Sequence, residues 1–168
     1  MQGKKPIIIK IELPTNAYFM SGIRDFTLKM IENTTDFSKQ WAYRFQSVVD
    51  ELCNNAIEHG SEKNDFILIT FKTVENESIE ITVEDHGPKE QIKASDIIKK
   101  YKENAKKNQL ELGIRGRGLA YIVEKWTDEL EITDREKGGI KVRVKKYLND
   151  PNFKKEESND PTHIKLTI

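Results

Sequence analysis

A single cysteine, Cys53, occurs among the 168 residues, so an internal disulfide is excluded and the fold must hold by burial. A reducing, cytoplasmic setting is expected. Net charge is also missing: Lys+Arg and Asp+Glu each number 28. Nothing global therefore points to direct nucleic-acid binding or to an acidic membrane. Long apolar runs are absent, because the run Ile7 to Ile9 is broken by Lys10 and Glu12 and makes neither a signal segment nor a span. The three histidines, His59, His86 and His163, have no metal-ligand spacing with each other or with Cys53, which argues against a zinc site. There is no Gly-Lys-Ser/Thr ending of a P-loop and no tight βαβ setting for a Rossmann site. Neither an internal repeat nor a low-complexity segment appears. What remains is one soluble domain over residues 1–168, large enough to build a core without metal or disulfide.

The stretch Trp41 to Gly60 is the centre of what is present. Phe45, Val48, Val49, Leu52 and Ala56 recur at helical spacing and form an apolar stripe. Glu51 and Asn55, four apart, lie one above the other at the edge of that stripe. A carboxylate and an amide on one helix edge can accept a proton and ligate Mg²⁺, or can simply face water as a polar flank. Gly60 follows and is expected to be a left-handed cap.

Around this helix the chain alternates short elements. Ile7, Ile9, Ile11 and Leu13 share one face of a strand over 6–13, ended by Pro14, with Thr15 placed to cap the next helix. That helix turns Phe19, Ile23, Phe26 and Met30 inward and leaves Arg24, Asp25 and Lys29 outside. Asp36 is the expected N-cap of the central helix. Phe66 to Val74 and Ser78 to Asp85 are two strands joined through Glu75-Asn76-Glu77. The period of two carries Asp85 to the same side as Ile79, Ile81 and Val83, so its carboxylate aims inward and needs a donor. His86-Gly87-Pro88 then turns the backbone. Ser95 to Lys107 is an amphipathic helix rich in lysine, either a solvated surface helix or a lid carrying positive charge near an anion.

Gly113-Ile114-Arg115-Gly116-Arg117-Gly118 runs into a helix whose Leu119, Ile122, Val123 and Trp126 face inward. Glycines at a helix start let backbone N–H groups approach an anion. Glu129 to Arg135 and Gly139 to Tyr147 form a second hairpin. Asp150 to Pro161 is a polar connector, and the alternating Ile164, Leu166 and Ile168 offer one more strand. The order β-α-α-ββ-(α)-α-ββ predicts an α+β fold, a two-layer sandwich of a mixed, mostly antiparallel sheet with helices on one face.

Three stations in order, Glu51-xxx-Asn55-Ala56 on a helix, Asp85-x-Gly87 after a buried strand and Gly116-x-Gly118 before a helix, resemble the ATP-binding domain of the GHKL superfamily, the Bergerat-type fold of gyrase, large heat-shock chaperones and histidine kinases. The segment Glu51-Leu52-Cys53-Asn54-Asn55-Ala56-Ile57-Glu58-His59-Gly60 looks most like the anti-sigma-factor branch, the serine/threonine protein kinases of bacterial partner-switching systems. The resemblance covers about residues 6–148. It implies Glu51 as the base that deprotonates a target serine and Asn55 as the ligand of the Mg²⁺ that bridges the phosphates of ATP. Asp85 would accept from the adenine amine, and Gly87 would let the backbone approach the base. Gly116, Gly118 and neighbouring amides such as that of Leu119 would cradle the phosphates, with Arg115 or Arg117 supplying charge. The implied partners are a sigma factor and its antagonist, the anti-anti-sigma protein, with Arg24 of the first helix as a contact and a homodimer as a possible assembly.

The sequence departs from the family in places. Pro88 and Lys89 follow Asp85-x-Gly87 where another glycine is common, and Gly139-Ile140 replaces a Gly-Thr whose hydroxyl supports the adenine carboxylate. No phospho-acceptor histidine helix is seen before the domain, so a complete histidine kinase is not expected. Three functions stay open on the sequence: a kinase of the anti-sigma type, a nucleotide-sensing module that only sequesters a partner, and an orphan ATP-hydrolysing domain.

Overall fold

The computed structural model of the chain describes residues 4–87, 92–107 and 126–148. In chain order they form β1 (Ile7–Pro14), α1 (Met20–Thr34), α2 (Lys39–His59), β2 (Phe66–Val74), β3 (Ser78–Glu84), α3 (Ala94–Lys107), β4 (Glu129–Asp134) and β5 (Ile140–Tyr147). A short 3-10 turn, Ala17–Phe19, leads into α1. The strands make one sheet in the order β1-β2-β3-β5-β4, and each described pairing is antiparallel. With α1 and α2 laid on one face, the molecule is the expected α+β sandwich.

Alternation sorts the two faces of the sheet. Ile67, Ile69 and Phe71 on β2, Ile79, Ile81 and Val83 on β3, and Leu130 and Ile132 on β4 are buried on the helix side. Each such side chain contributes about 1.5–3 kcal/mol by leaving water. From α2, Phe45, Val48, Val49, Leu52, Cys53 and Ala56 enter the same core. Phe26 of α1 meets Phe71 at a ring-centroid distance of 5.5 Å. The opposite face is polar, and its middle is occupied by Arg143. Its guanidinium reaches Glu131 at 2.9 Å and Glu80 and Glu129 at 3.1 Å each, three carboxylates from β3 and β4.

Several local expectations are corrected. Thr15 does not cap a helix: Asn16 caps the 3-10 turn by accepting from the Tyr18 amide, while Thr15 donates to the carbonyls of Glu62 and Asp65 and pins the loop before β2. The cap of α2 is Ser38, which accepts from the Trp41 amide; Asp36 is exposed. On α1 the buried stripe is Met20, Ile23, Thr27, Met30 and Ile31, and Phe19, at 42% exposure, lies outside it. The helix begins only at Met20, so the residue before it does not share its stripe. In α3, Ala94, Ile98 and Tyr101 are buried and Lys99, Lys100 and Lys102 face solvent, which fits an amphipathic surface helix.

Candidate functional site

The long helix α2 supplies one side of the site. Its apolar stripe is buried against the sheet, and this leaves Glu51 and Asn55 half-buried at the stripe's edge. The Asn55 amide nitrogen donates to Glu51 Oε1 at 3.2 Å, so the pair is joined as the four-residue spacing predicts. That bond leaves Asn55 Oδ1 and Glu51 Oε2 as acceptors without a protein donor among the described residues. At about 1.5 Å per residue, Asn55 stands about 7 Å and Glu51 about 13 Å along the helix axis from Gly60.

Asp85 supplies the other side. It follows β3 and is 6% exposed, on the inward face as its strand periodicity predicts. Its Oδ1 accepts from the main-chain amides of Gly87 and Ile140, each at 3.0 Å. Oδ2 accepts from no donor among the described residues and lies against Gly60. Burial pushes the Asp85 carboxyl above its ordinary pKa, while the two amides and the charges of Arg135 and His86 pull it back. A buried carboxylate with one filled and one open oxygen is suited to an amine donor from a ligand.

Glycines make this packing possible. A Cβ on Gly60 would overlap the Asp85 carboxylate, and Gly60 itself has right-handed geometry with φ −104°. The expected left-handed cap is therefore replaced by a close approach: Gly60 is there for space, not for φ. Gly139 has φ +89°, and a Cβ on it would stand 2.7 Å from both Asp85 Oδ1 and the Gly87 nitrogen. Gly87 has φ +91° and faces the Gly139 nitrogen in the same way. Ile140 has no hydroxyl to offer Asp85; its main-chain amide fills Oδ1, and its carbonyl accepts from the Asp85 amide at 3.0 Å.

Arg135 was not singled out by its sequence, yet it frames the same turn. It donates to the Asp85 carbonyl, pairs with Glu84 at 3.3 Å and lies 3.4 Å from His86 Nδ1. An arginine at the end of a hairpin strand carries no motif; only the register of β3 and β5 brings it across to Asp85. Its neighbour Asp134 accepts from the Ala94 amide at 2.8 Å, at the start of α3. Arg24, expected on the outer side of α1, is partly exposed there and pairs with Asp50 at 2.7 Å, one residue before Glu51. Arg115, Gly116, Arg117, Gly118 and Leu119 lie outside the described residues. Among the described residues no cluster of three His, Cys, Asp or Glu could hold a metal. A cation beside Asn55 would thus take most of its ligands from substrate phosphates and water, the habit of Mg²⁺.

The histidine kinase-like ATPase domain, as a family, matches residues 14–146. The chain belongs to that family. The match runs from the end of β1 almost to the end of β5, so it contains Glu51, Asn55, Asp85 and the Gly138-Gly139 turn. The chain is also 31% identical over 105 residues to the anti-sigma F factor of Heyndrickxia coagulans, across 61% of this chain and 67% of that protein. Both similarities agree with the resemblance read from the sequence, a GHKL domain of the anti-sigma branch. For a histidine kinase-like ATPase domain the implied ligand is ATP, and the open acceptor of Asp85 and the acceptor pair on α2 fit it. Among the described residues no helix is long and apolar enough to cross a membrane.

Proposed function

We propose that this protein is an ATP- and Mg²⁺-dependent serine/threonine kinase acting as an anti-sigma regulator, which binds a sigma factor and phosphorylates the factor's antagonist. The observation that carries the catalytic part is Glu51. Nucleotide binding alone requires Asp85 and an amide such as Asn55, whereas a carboxylate with a free oxygen beside that amide is what a proton transfer requires. The order along α2 is consistent with this: base recognition at Gly60, a metal-suited amide about 7 Å on, a proton acceptor about 13 Å on. The anti-sigma part rests on the similarity to the anti-sigma F factor.

In this reading Asp85 Oδ2 accepts from the exocyclic amine of adenine, and Gly60 leaves the room for it. Mg²⁺, when bound, neutralises the phosphate charge and polarises the γ-phosphoryl group. Asn55 Oδ1 would hold the ion, and the Asn55 amide nitrogen keeps Glu51 oriented. Glu51 Oε2 takes the proton of the target serine hydroxyl. The serine oxygen bonds to the γ-phosphorus as the bond to the β–γ bridging oxygen breaks, and ADP leaves. Phosphate cradling falls to Gly116, Gly118 and Leu119, with Arg115 or Arg117 as its cation.

Incubating the protein with γ-labelled ATP, with and without candidate antagonist domains, tests the proposal. Label on a serine or threonine of the antagonist supports the kinase. Free phosphate without protein label points to an ATP-hydrolysing domain. Bound nucleotide with neither outcome returns the chain to a nucleotide-sensing module.

A further inference from the structure

We propose that Arg135 is a positioning residue for nucleotide binding, which aligns the Asp85 turn from across the sheet and keeps its carboxylate able to accept from the base. This rests on the reading of Asp85 as the adenine acceptor. To accept from adenine, Asp85 must meet two conditions. Its Oδ2 must point at the ligand, and the group must be ionised.

Alignment comes from the way the β4–β5 turn is tied to residues 84–87. The Arg135 guanidinium donates to the Asp85 carbonyl and at the same time reaches Glu84 at 3.3 Å. One planar fork thus grips the residue before Asp85 and the main chain of Asp85 itself. Three residues on, Gly138 and Gly139 pass close beneath, and the Arg135 amide is bonded to the Gly139 carbonyl at 2.9 Å. The same short turn that aims Arg135 therefore also delivers the Ile140 amide to Oδ1. Swinging the arginine away frees the carbonyl of Asp85 and loosens the peptide whose side chain meets the ligand.

Ionisation is the second condition, and burial works against it. Among the described residues the charges bearing on Asp85 are few. Arg135 comes from the β4–β5 turn, and His86 and Glu84 come from its own strand end. From α2 the contact is Gly60; the last-turn pair Glu58 and His59 is about two-thirds exposed, with its members 3.8 Å apart. Arg135 is the one of these that is cationic at every relevant pH. Its removal leaves a buried carboxylate with only neutral amides and a histidine to hold its charge.

The test compares wild type with Arg135→Gln, which can still donate a hydrogen bond but is neutral, and with Arg135→Lys, which keeps the charge and loses the fork. A fluorescent ADP analogue is titrated into each, with Mg²⁺, from neutral to acid pH, after circular dichroism confirms folding. The ligand's own ionisation is common to all three and drops out. Because Asp85 accepts only when ionised, affinity falls as pH drops through its pKa, and loss of Arg135 moves that fall to higher pH. Arg135→Gln is expected to bind about tenfold more weakly at neutral pH, with its acid limb shifted upward. Arg135→Lys keeps the wild-type limb and binds with intermediate affinity. Identical acid limbs in wild type and Arg135→Gln overturn the proposal and make Arg135 a brace of the hairpin. So does an equal shift in both variants. Wild type that binds no nucleotide at all overturns the adenine assignment instead, a separate result.

Discussion

At Gly60, α2 meets a carboxylate fixed almost wholly by main chain; two turns earlier the same helix holds Glu51 and Asn55 by one side-chain bond of 3.2 Å. The Asp85 end is buried, and the turns around it are ones that glycine permits. The Glu51 end is half-open, and its two side chains are joined to each other rather than to the main chain. In the proposed function the first end recognises the adenine base, and such a site gains from rigidity, since misplaced acceptors reject the right ligand along with the wrong ones. A proton acceptor must admit a protein substrate and tighten only when it arrives. On the proposed function, substitutions at the first end register in the fold or in nucleotide affinity, and those at the second in rate.

The largest expected effect breaks the second end alone. Glu51→Gln keeps the shape and the bond to Asn55 while removing the base. Phosphoryl transfer from labelled ATP to the antagonist should fall by about 10²–10⁴, or about 3–5 kcal/mol of barrier, with melting temperature and nucleotide affinity unchanged. Transfer at the wild-type rate would make Glu51 a mere flank of the helix. At the first end, Gly139→Ala places a methyl 2.7 Å from Asp85 Oδ1 on a backbone with φ +89°. Denaturant unfolding should show a loss of about 2–4 kcal/mol; a wild-type midpoint would mean that this turn is not rigid.

Asp85→Asn sharpens the contrast within the first end. Nucleotide-induced stabilisation, read by thermal shift, should drop by about 1.5–3 kcal/mol as the charged acceptor is lost. Stability without ligand should not fall. The folded pKa of Asp85 is raised, so its ionised form opposes folding at every pH above that pKa, and the opposition vanishes only below the unfolded value. An apo protein that is less stable as Asn at neutral pH would show that the carboxylate is structural. The smallest effect lies outside both ends. Arg24→Ala should weaken binding of the antagonist about tenfold, or 1.4 kcal/mol, while the loss of its partly exposed pair with Asp50 costs at most about 1 kcal/mol of stability. Equal antagonist affinities, measured by titration, would leave Arg24 with only its role beside Asp50.

The elements and the acceptors were legible because each rests on a period. Alternation placed Asp85 inward and helical spacing joined Glu51 to Asn55, both local properties of a few residues. What escaped lies in register and close contact. Gly60 looks like a cap in one dimension, and only the approach of Asp85 in space reveals it as clearance for a carboxylate. Arg135 has no local signature, since its partners Glu84, Asp85 and His86 are about 50 residues away along the chain. At Ile140 the missing hydroxyl is visible in the sequence, whereas the main-chain amide that fills Asp85 Oδ1 is not, because a sequence does not show the direction of an amide. The cap of α2 moved by two residues for a related reason: Asp36 and Ser38 are both able caps, and the burial of Phe37 between them decides which one starts the helix.

The one thiol of the chain sits between Glu51 and Asn55 but points the other way, wholly buried in the core. Burial first, and the nearby charge of Asp50 second, push the Cys53 thiol far above its ordinary pKa, so it is inert while α2 lies on the sheet. A thiol reagent can therefore reach it only when the helix lifts away. That makes Cys53 a chemical clock for the opening of the α2–sheet interface: its labelling half-time counts openings, and a ligand that clasps Asp85 to the end of the same helix should lengthen that half-time in proportion to how firmly it binds.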